Sequence, residues 1–130
     1  MSQRPRIPAY PVIIDGDMST NLTSIVTIIQ SLTMISYQLD WTGTSPVGNV
    51  SVEVSNNYSI DGQGNTLNAG TWDALPLEVS GALVTQIPIS GNTGQGFIDI
   101  TLNAAYAIRL IYAKTSGVGT LNVIENAKVA

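Results

Sequence analysis

Apolar and polar residues alternate most clearly over 34–41, where Ile35, Tyr37, Leu39 and Trp41 are large and apolar and Ser36, Gln38 and Asp40 between them are polar. Successive side chains of an extended segment point to opposite faces, so a period of two predicts a half-buried strand. Val50, Val52 and Val54 alternate in the same way with Ser51, Glu53 and Ser55. The short segment 42–46 between them contains Gly43 and Pro46, which predicts an antiparallel hairpin. Ile98, Ile100 and Leu102 mark a third strand over 97–102, and 107–113 a fourth. The Gly-rich segment 115–119 is expected to turn the chain, and 120–124 to return it.

The remaining segments are shorter. Val12, Ile13 and Ile14 form an apolar run that is expected to stop at a turn over Asp15, Gly16 and Asp17. Segment 23–29 is dense in β-branched residues and reads as strand, although Leu22, Ile25, Ile29 and Leu32 also fit one helical face. Residues 55–70 form a long polar loop. Leu77, Val79, Leu83, Val84, Ile87 and Ile89 mark further short strands, and 90–96 is a Gly-rich loop. About eight strands at this spacing predict an all-β antiparallel sandwich or jelly roll. Pro5, Pro8 and Pro11 precede them and predict an extended N-terminal arm over 1–11, with the sandwich over 12–130.

At 130 residues the chain suits one domain, with enough length to bury roughly two-thirds of its unfolded surface. Only 11% of its residues are charged, against about 25% in ordinary globular domains. A surface of Thr, Ser, Asn, Gln and Gly follows, which can be covered by another protein without stripping water from many ions. The net charge is −4 and the basic residues are Arg4, Arg6, Arg109, Lys114 and Lys128. Too few cations cluster for phosphate recognition, so no nucleic-acid partner is expected. The first eight residues lack the apolar core of a secretory signal, and no apolar run approaches the ~20 residues of a membrane helix, so a soluble protein with no membrane partner is expected.

The chain has no Cys and no His. Thiolate and imidazole ligands, disulfides and the commonest general base are therefore excluded, and no cofactor is expected. Asp15 and Asp17, and the loop Asp61-Gly62-Gln63-Gly64-Asn65, offer oxygens to a cation, but no closing Glu completes a calcium loop. Turn chemistry, in which Asp bonds its own backbone, accounts for both. Asp40, Asp99, Glu53 and Glu78 raise the possibility of a paired-carboxylate hydrolase. Each falls on the polar side of its strand pattern, where a solvated face is expected, so enzymatic activity is not expected.

Trp41, Trp72, Tyr58 and Tyr106 could form a sugar-stacking platform. Trp41 sits in the apolar phase of its strand and is assigned to the core, whereas Trp72 follows a long loop and is expected to cap the sandwich. Arg109 is out of phase with Ile108 and Leu110, so it should point away from the core and pair with Asp40, Glu53 or Asp99. Met34, Ile111 and Val123 are expected on outward faces.

The ordered motifs Gly16-Asp17-Met18-Ser19, Asp40-Trp41-Thr42-Gly43-Thr44, Gly48-Asn49-Val50-Ser51-Val52-Glu53-Val54-Ser55-Asn56, Gly70-Thr71-Trp72, Ala107-Ile108-Arg109-Leu110-Ile111-Tyr112 and Ser116-Gly117-Val118-Gly119-Thr120-Leu121 run through nearly the whole chain after the arm. Together they resemble a group of small tailed-bacteriophage virion proteins with a β-sandwich fold, of the kind that decorates capsids or sits on tails and fibres. The C-terminal part is also similar to the end of discoidin-like jelly rolls. The first resemblance implies location in the virion, a major capsid protein or other virion protein as partner, and a homo-oligomer, with a trimer suggested by the three-fold sites of capsids. The arm residues Arg4, Arg6, Ile7, Pro8 and Tyr10, together with Trp72 and Arg109, would then contact the partner. The second resemblance implies a carbohydrate- or receptor-binding module of a tail fibre or spike, with specificity in loops 56–70 and 90–96.

Overall fold

A computed structural model describes residues 6–29, 32, 34–101 and 105–128. The strands are β1 (Arg6–Asp17), β2 (Leu22–Thr23), β3 (Thr27–Ile28), β4 (Met34–Ser55), β5 (Ser59–Ile60), β6 (Thr66–Asn68), β7 (Asp73–Ala74), β8 (Leu77–Val79), β9 (Ala82–Val84), β10 (Ile87–Ser90), β11 (Thr93–Thr101) and β12 (Ala107–Lys128). The protein is all-β, and every pairing is antiparallel.

Its frame is two 22-residue strands, β4 and β12, paired from Met34 opposite Lys128 to Ser55 opposite Ala107. This corrects both expected hairpins. Segment 42–46 does not turn the chain back but continues β4 round a corner, and 115–119 does the same for β12. Register shifts between Lys114 and Ser116 and between Ser116 and Val118 mark that corner. The burial phase changes there on both strands. Ile35, Tyr37, Leu39 and Trp41 are buried before it on β4, and Val50 and Val52 after it. On β12 the buried set passes from Ile108, Leu110 and Tyr112 to Leu121 and Val123. Bulges insert extra residues, and an odd insertion moves the inward set from even to odd positions.

The sheet therefore folds over on itself into two layers. One layer runs β1, the C-terminal half of β12, the N-terminal half of β4, then β11. The other contains β2 and β3, the N-terminal half of β12, the C-terminal half of β4, then β10 and β7. The core lies between them and takes Tyr37, Leu39 and Val123 from the first layer and Val52, Leu110 and Tyr112 from the second. Val123 is thus interior, contrary to its expected outward position, because the bulged corner sets the phase of β12. Ile98 and Ile100 face inward as expected, and Leu102 lies outside the described residues.

Backbones approach closely at the corner, and glycine makes this possible. A Cβ at Gly43 would overlap the Val118 carbonyl oxygen and approach the Gly119 Cα to 2.5 Å. Gly117 has φ of 81°, a conformation that disfavours other residues, and its Cβ position is filled by the Ser45 carbonyl. Asn92 braces the bend: its side-chain oxygen accepts from Ser45 N at 2.8 Å and its carbonyl accepts from Gly43 N at 2.8 Å.

Three local features differ from expectation. Residues 6–11 are the start of edge strand β1, paired with the end of β12, so the expected arm–sandwich boundary at residue 11 falls inside a strand. Pro8 and Pro11 fit there because an edge strand leaves one side of its backbone unpaired. Segment 23–29 forms two short strands instead of one. Between them Ser24 is buried, and its hydroxyl accepts the Leu110 N–H at 2.8 Å in place of a backbone partner. The expected turn at 15–17 comes slightly later, since β1 continues to Asp17.

Candidate functional site

The second layer brings two of the sequence candidates together. Arg109 on β12 stands directly opposite Glu53 on β4, on the outer face of the layer. Its guanidinium donates to the Glu53 carboxylate, with Nη2 to Oε1 at 2.7 Å and Nε to the same oxygen at 2.9 Å. Of the three carboxylates considered, Glu53 is therefore the partner. The guanidinium also lies over the Trp72 ring, 4.2 Å from its centre, in cation–π geometry. Tyr58 packs against Trp72 with ring centres 5.8 Å apart and planes inclined at 54°. Trp72 thus covers the outer face of one layer, not the open end between the two.

The long polar loop is held in place by its own side chains. The Asn57 side-chain oxygen accepts from Thr71 N at 2.7 Å and from the Ser55 hydroxyl at 2.9 Å. Trp72 Nε1 donates to the Ala69 carbonyl at 2.9 Å. Asn56 accepts from Tyr106 N at 2.9 Å, joining the loop to the start of β12. A cleft of about 340 Å³ lies at the base of this loop, lined by Ser55, Asn56, Asn57, Thr71 and Asp73 among others, and Trp72 does not line it. Trp41 is in the core, as assigned.

The arm candidates stand elsewhere. Tyr10 is 51% exposed on β1, in the first layer. The backbones of Arg6 and Ile7 pair with Lys128 and Ala127, and Pro8 follows in the same strand. The side chains of Arg6, Ile7 and Pro8, and all of Arg4, lie outside the described residues.

Both proposed cation loops are occupied by turn bonds. Asp17 accepts from the Ser19 N–H and hydroxyl, and these bonds hold its carboxyl below its ordinary value. Asp61 accepts from the N–H groups of Gln63 and Asn65, with the same effect. Among the described residues no three Asp or Glu side chains converge as a metal site. Asp40 and Asp99 are exposed in the first layer, opposite Gln95 and Ser36 respectively, while Glu53 is engaged by Arg109 and Glu78 lies on the β8–β9 hairpin.

One group was missed by the sequence reading. Glu125 is 1% exposed and shares the inward phase of Leu121, Val123 and Ala127. Its Oε2 accepts from the Thr27 hydroxyl at 3.0 Å. Burial raises its carboxyl above the ordinary value, with Thr27 and Tyr37 opposing the shift. Burial also pushes the Tyr37 phenol well up, with Glu125 adding to it. Glu125 shares the phase of Val123, so the expectation that turned Val123 outward hid Glu125 as well; reading Leu121 and Val123 as the inward set would have found it.

The buried acid sets a pH dependence. Between the ordinary glutamate value and the raised one, the folded state keeps a proton that the unfolded chain has lost, so stability falls as pH rises through that window. Asp17 and Asp61, whose carboxyls are lowered, act only below the ordinary carboxylate range. The protein should therefore be less stable near neutral pH than at about pH 5, and Glu125→Gln should flatten that difference. At neutral pH the variant should be the more stable of the two in urea unfolding, because no charge is desolvated. An unchanged pH profile in the variant would contradict this role.

No family model and no curated protein matches the chain. Solved structures to which the chain is similar include the following two. The SPBc2 prophage-derived protein YomS aligns over 97% of this chain and 96% of its own, with a TM-score of 0.52 at 9% identity. The K1 cleaved adhesin domain of Lys-gingipain from Porphyromonas gingivalis W83 aligns over 85% of this chain and 63% of its own, with a TM-score of 0.40 at 10% identity. The first likeness shows a shared all-β fold from end to end.

Proposed function

We propose that the protein is a non-enzymatic structural component of a bacteriophage particle, binding a capsid or tail lattice through a major capsid protein or another virion protein. The observation that carries this reading is the fold shared with a prophage-derived protein over nearly the full length of both chains. The chemistry of the chain supports it. No imidazole or thiol is present, Glu53 serves an ion pair, Asp17 and Asp61 serve turns, and few charges need desolvation when the surface is covered. Apolar side chains stand exposed on the first layer at Tyr10, Ile14, Phe97 and Ile124, where a lattice or another subunit can bury them. Such a protein works as a decoration, cement or head–tail accessory component.

Mass spectrometry of gradient-purified particles, from cells whose genome encodes the chain, tests the proposal. The expected result is co-purification at a fixed ratio to the major capsid or tail protein, with the two-layer fold fitting density on the particle. Free protein absent from the particles would refute it.

The cleft lined by Asn56, Asn57 and Thr71 favours a second reading, a carbohydrate- or receptor-binding module. Its amide and hydroxyl lining suits a sugar. Much of that lining already braces the loop, and one face of Trp72 is covered by Arg109. Glycan binding that vanishes in Trp72→Ala would support this reading over the first.

A further inference from the structure

Edge strands invite pairing with other chains, and proteins usually blunt them. The outer edge of the first layer at β1 is blunted by Pro8, Pro11 and three register shifts. The second layer ends in short strands, one of which contains Pro88. Strand β11 is different. It pairs with β4 through nine consecutive residues without a bulge, contains no proline and carries one charge, Asp99. Among the described residues no strand pairs with its other side.

The direction of its free groups follows from the ladder. Gly43 N donates to Asn92 O at 2.8 Å, in register with the strand. Antiparallel pairs alternate, so the even-numbered residues of β11 turn N–H and C=O toward β4, while Gln95, Phe97 and Asp99 turn theirs to the open edge. Beside that edge is an apolar crevice of about 170 Å³ lined by Leu39, Trp41, Ile89, Phe97 and Ile98 among others. Phe97 at its lip is 65% exposed.

We infer that β11 pairs with β11 of a second copy of this chain about a two-fold axis at Phe97, continuing the first layer across a dimer. The occupant is argued from the strand's own sequence. A two-fold contact sets each residue against its mirror position. Centring on Phe97 uses all nine residues and matches outward-facing groups with outward-facing groups. It places Phe97 against Phe97, Thr93 against Thr101, and Gln95 against Asp99 twice, so that each amide can donate to a carboxylate. Gly94 and Gly96 then oppose Ile100 and Ile98, small against large. Centring on Asp99 would set like charges face to face, which is unfavourable. This two-fold contact differs from the three-fold one expected by analogy with capsids, and it holds whether or not the virion reading does.

Sedimentation of the purified full chain tests it, with circular dichroism of each variant to confirm folding. At ~100 µM the native chain should be a dimer. Phe97→Pro removes an outward N–H without touching the β4 ladder and should yield a folded monomer. Gln95→Asp sets two carboxylate pairs in opposition and should raise the dimer dissociation constant about ten-fold, whereas Gln95→Lys should lower it several-fold. A monomeric native chain would overturn the inference. So would an oligomer of any size whose dissociation is indifferent to all three substitutions, which would place its contact elsewhere.

Discussion

Gly43→Val is expected to destabilise the protein by at least about 3 kcal/mol, a large part of the 5–15 kcal/mol that holds a typical domain folded. The obstacle to the new side chain is backbone, the Val118 carbonyl and the Gly119 Cα, so no rotamer change can relieve it. Relief requires the two long strands to separate where each crosses from one layer to the other, and that loosens both layers together. Gly62→Val is the control: nothing lies within 4 Å of the Cβ position there, and the change should cost under ~0.5 kcal/mol. Urea midpoints of the two variants measure the difference. Equal midpoints would mean that the corner is not closely packed.

Leu110→Ala is expected to cost about 2–5 kcal/mol, the range for emptying a leucine site in a packed core. Leu110 is fully buried in the second layer and belongs to the same core as Tyr37 and Leu39 of the first. Its loss leaves a cavity between the layers that neither can fill alone. Leu83→Ala makes the same chemical change at a 74% exposed position on the small β8–β9 hairpin and should fall within ~0.5 kcal/mol of the native protein. If both substitutions cost the same, Leu110 does not lie between two packed layers.

The class of fold was legible because alternation is a local signal. Ile35, Tyr37, Leu39 and Trp41, then Val50 and Val52, declared their strands and their inward faces correctly. Their connection was not legible. Gly43 and Pro46 serve a corner as well as they serve a hairpin loop, and only the partner strand, over sixty residues away at Val118 and Gly119, decides between the two. The same ambiguity hid the continuity of β12 and misplaced Val123. Within the candidate site, the outward position of Arg109 could be read from its phase and Glu53 was among the foreseen partners. The stacking of Arg109 on Trp72 depends on the return path of a long loop, which no local pattern encodes.

Everything rests on β4 and β12 pairing along their whole lengths around one corner. Backbone nuclear Overhauser effects in solution test this most directly. The account predicts cross-strand contacts at both ends of the pair, Gln38 with Ile124 and Glu53 with Arg109, and at the corner, Thr44 with Val118. Contacts joining residues 34–41 to residues 50–54 would instead reveal a hairpin at Gly43 and contradict it.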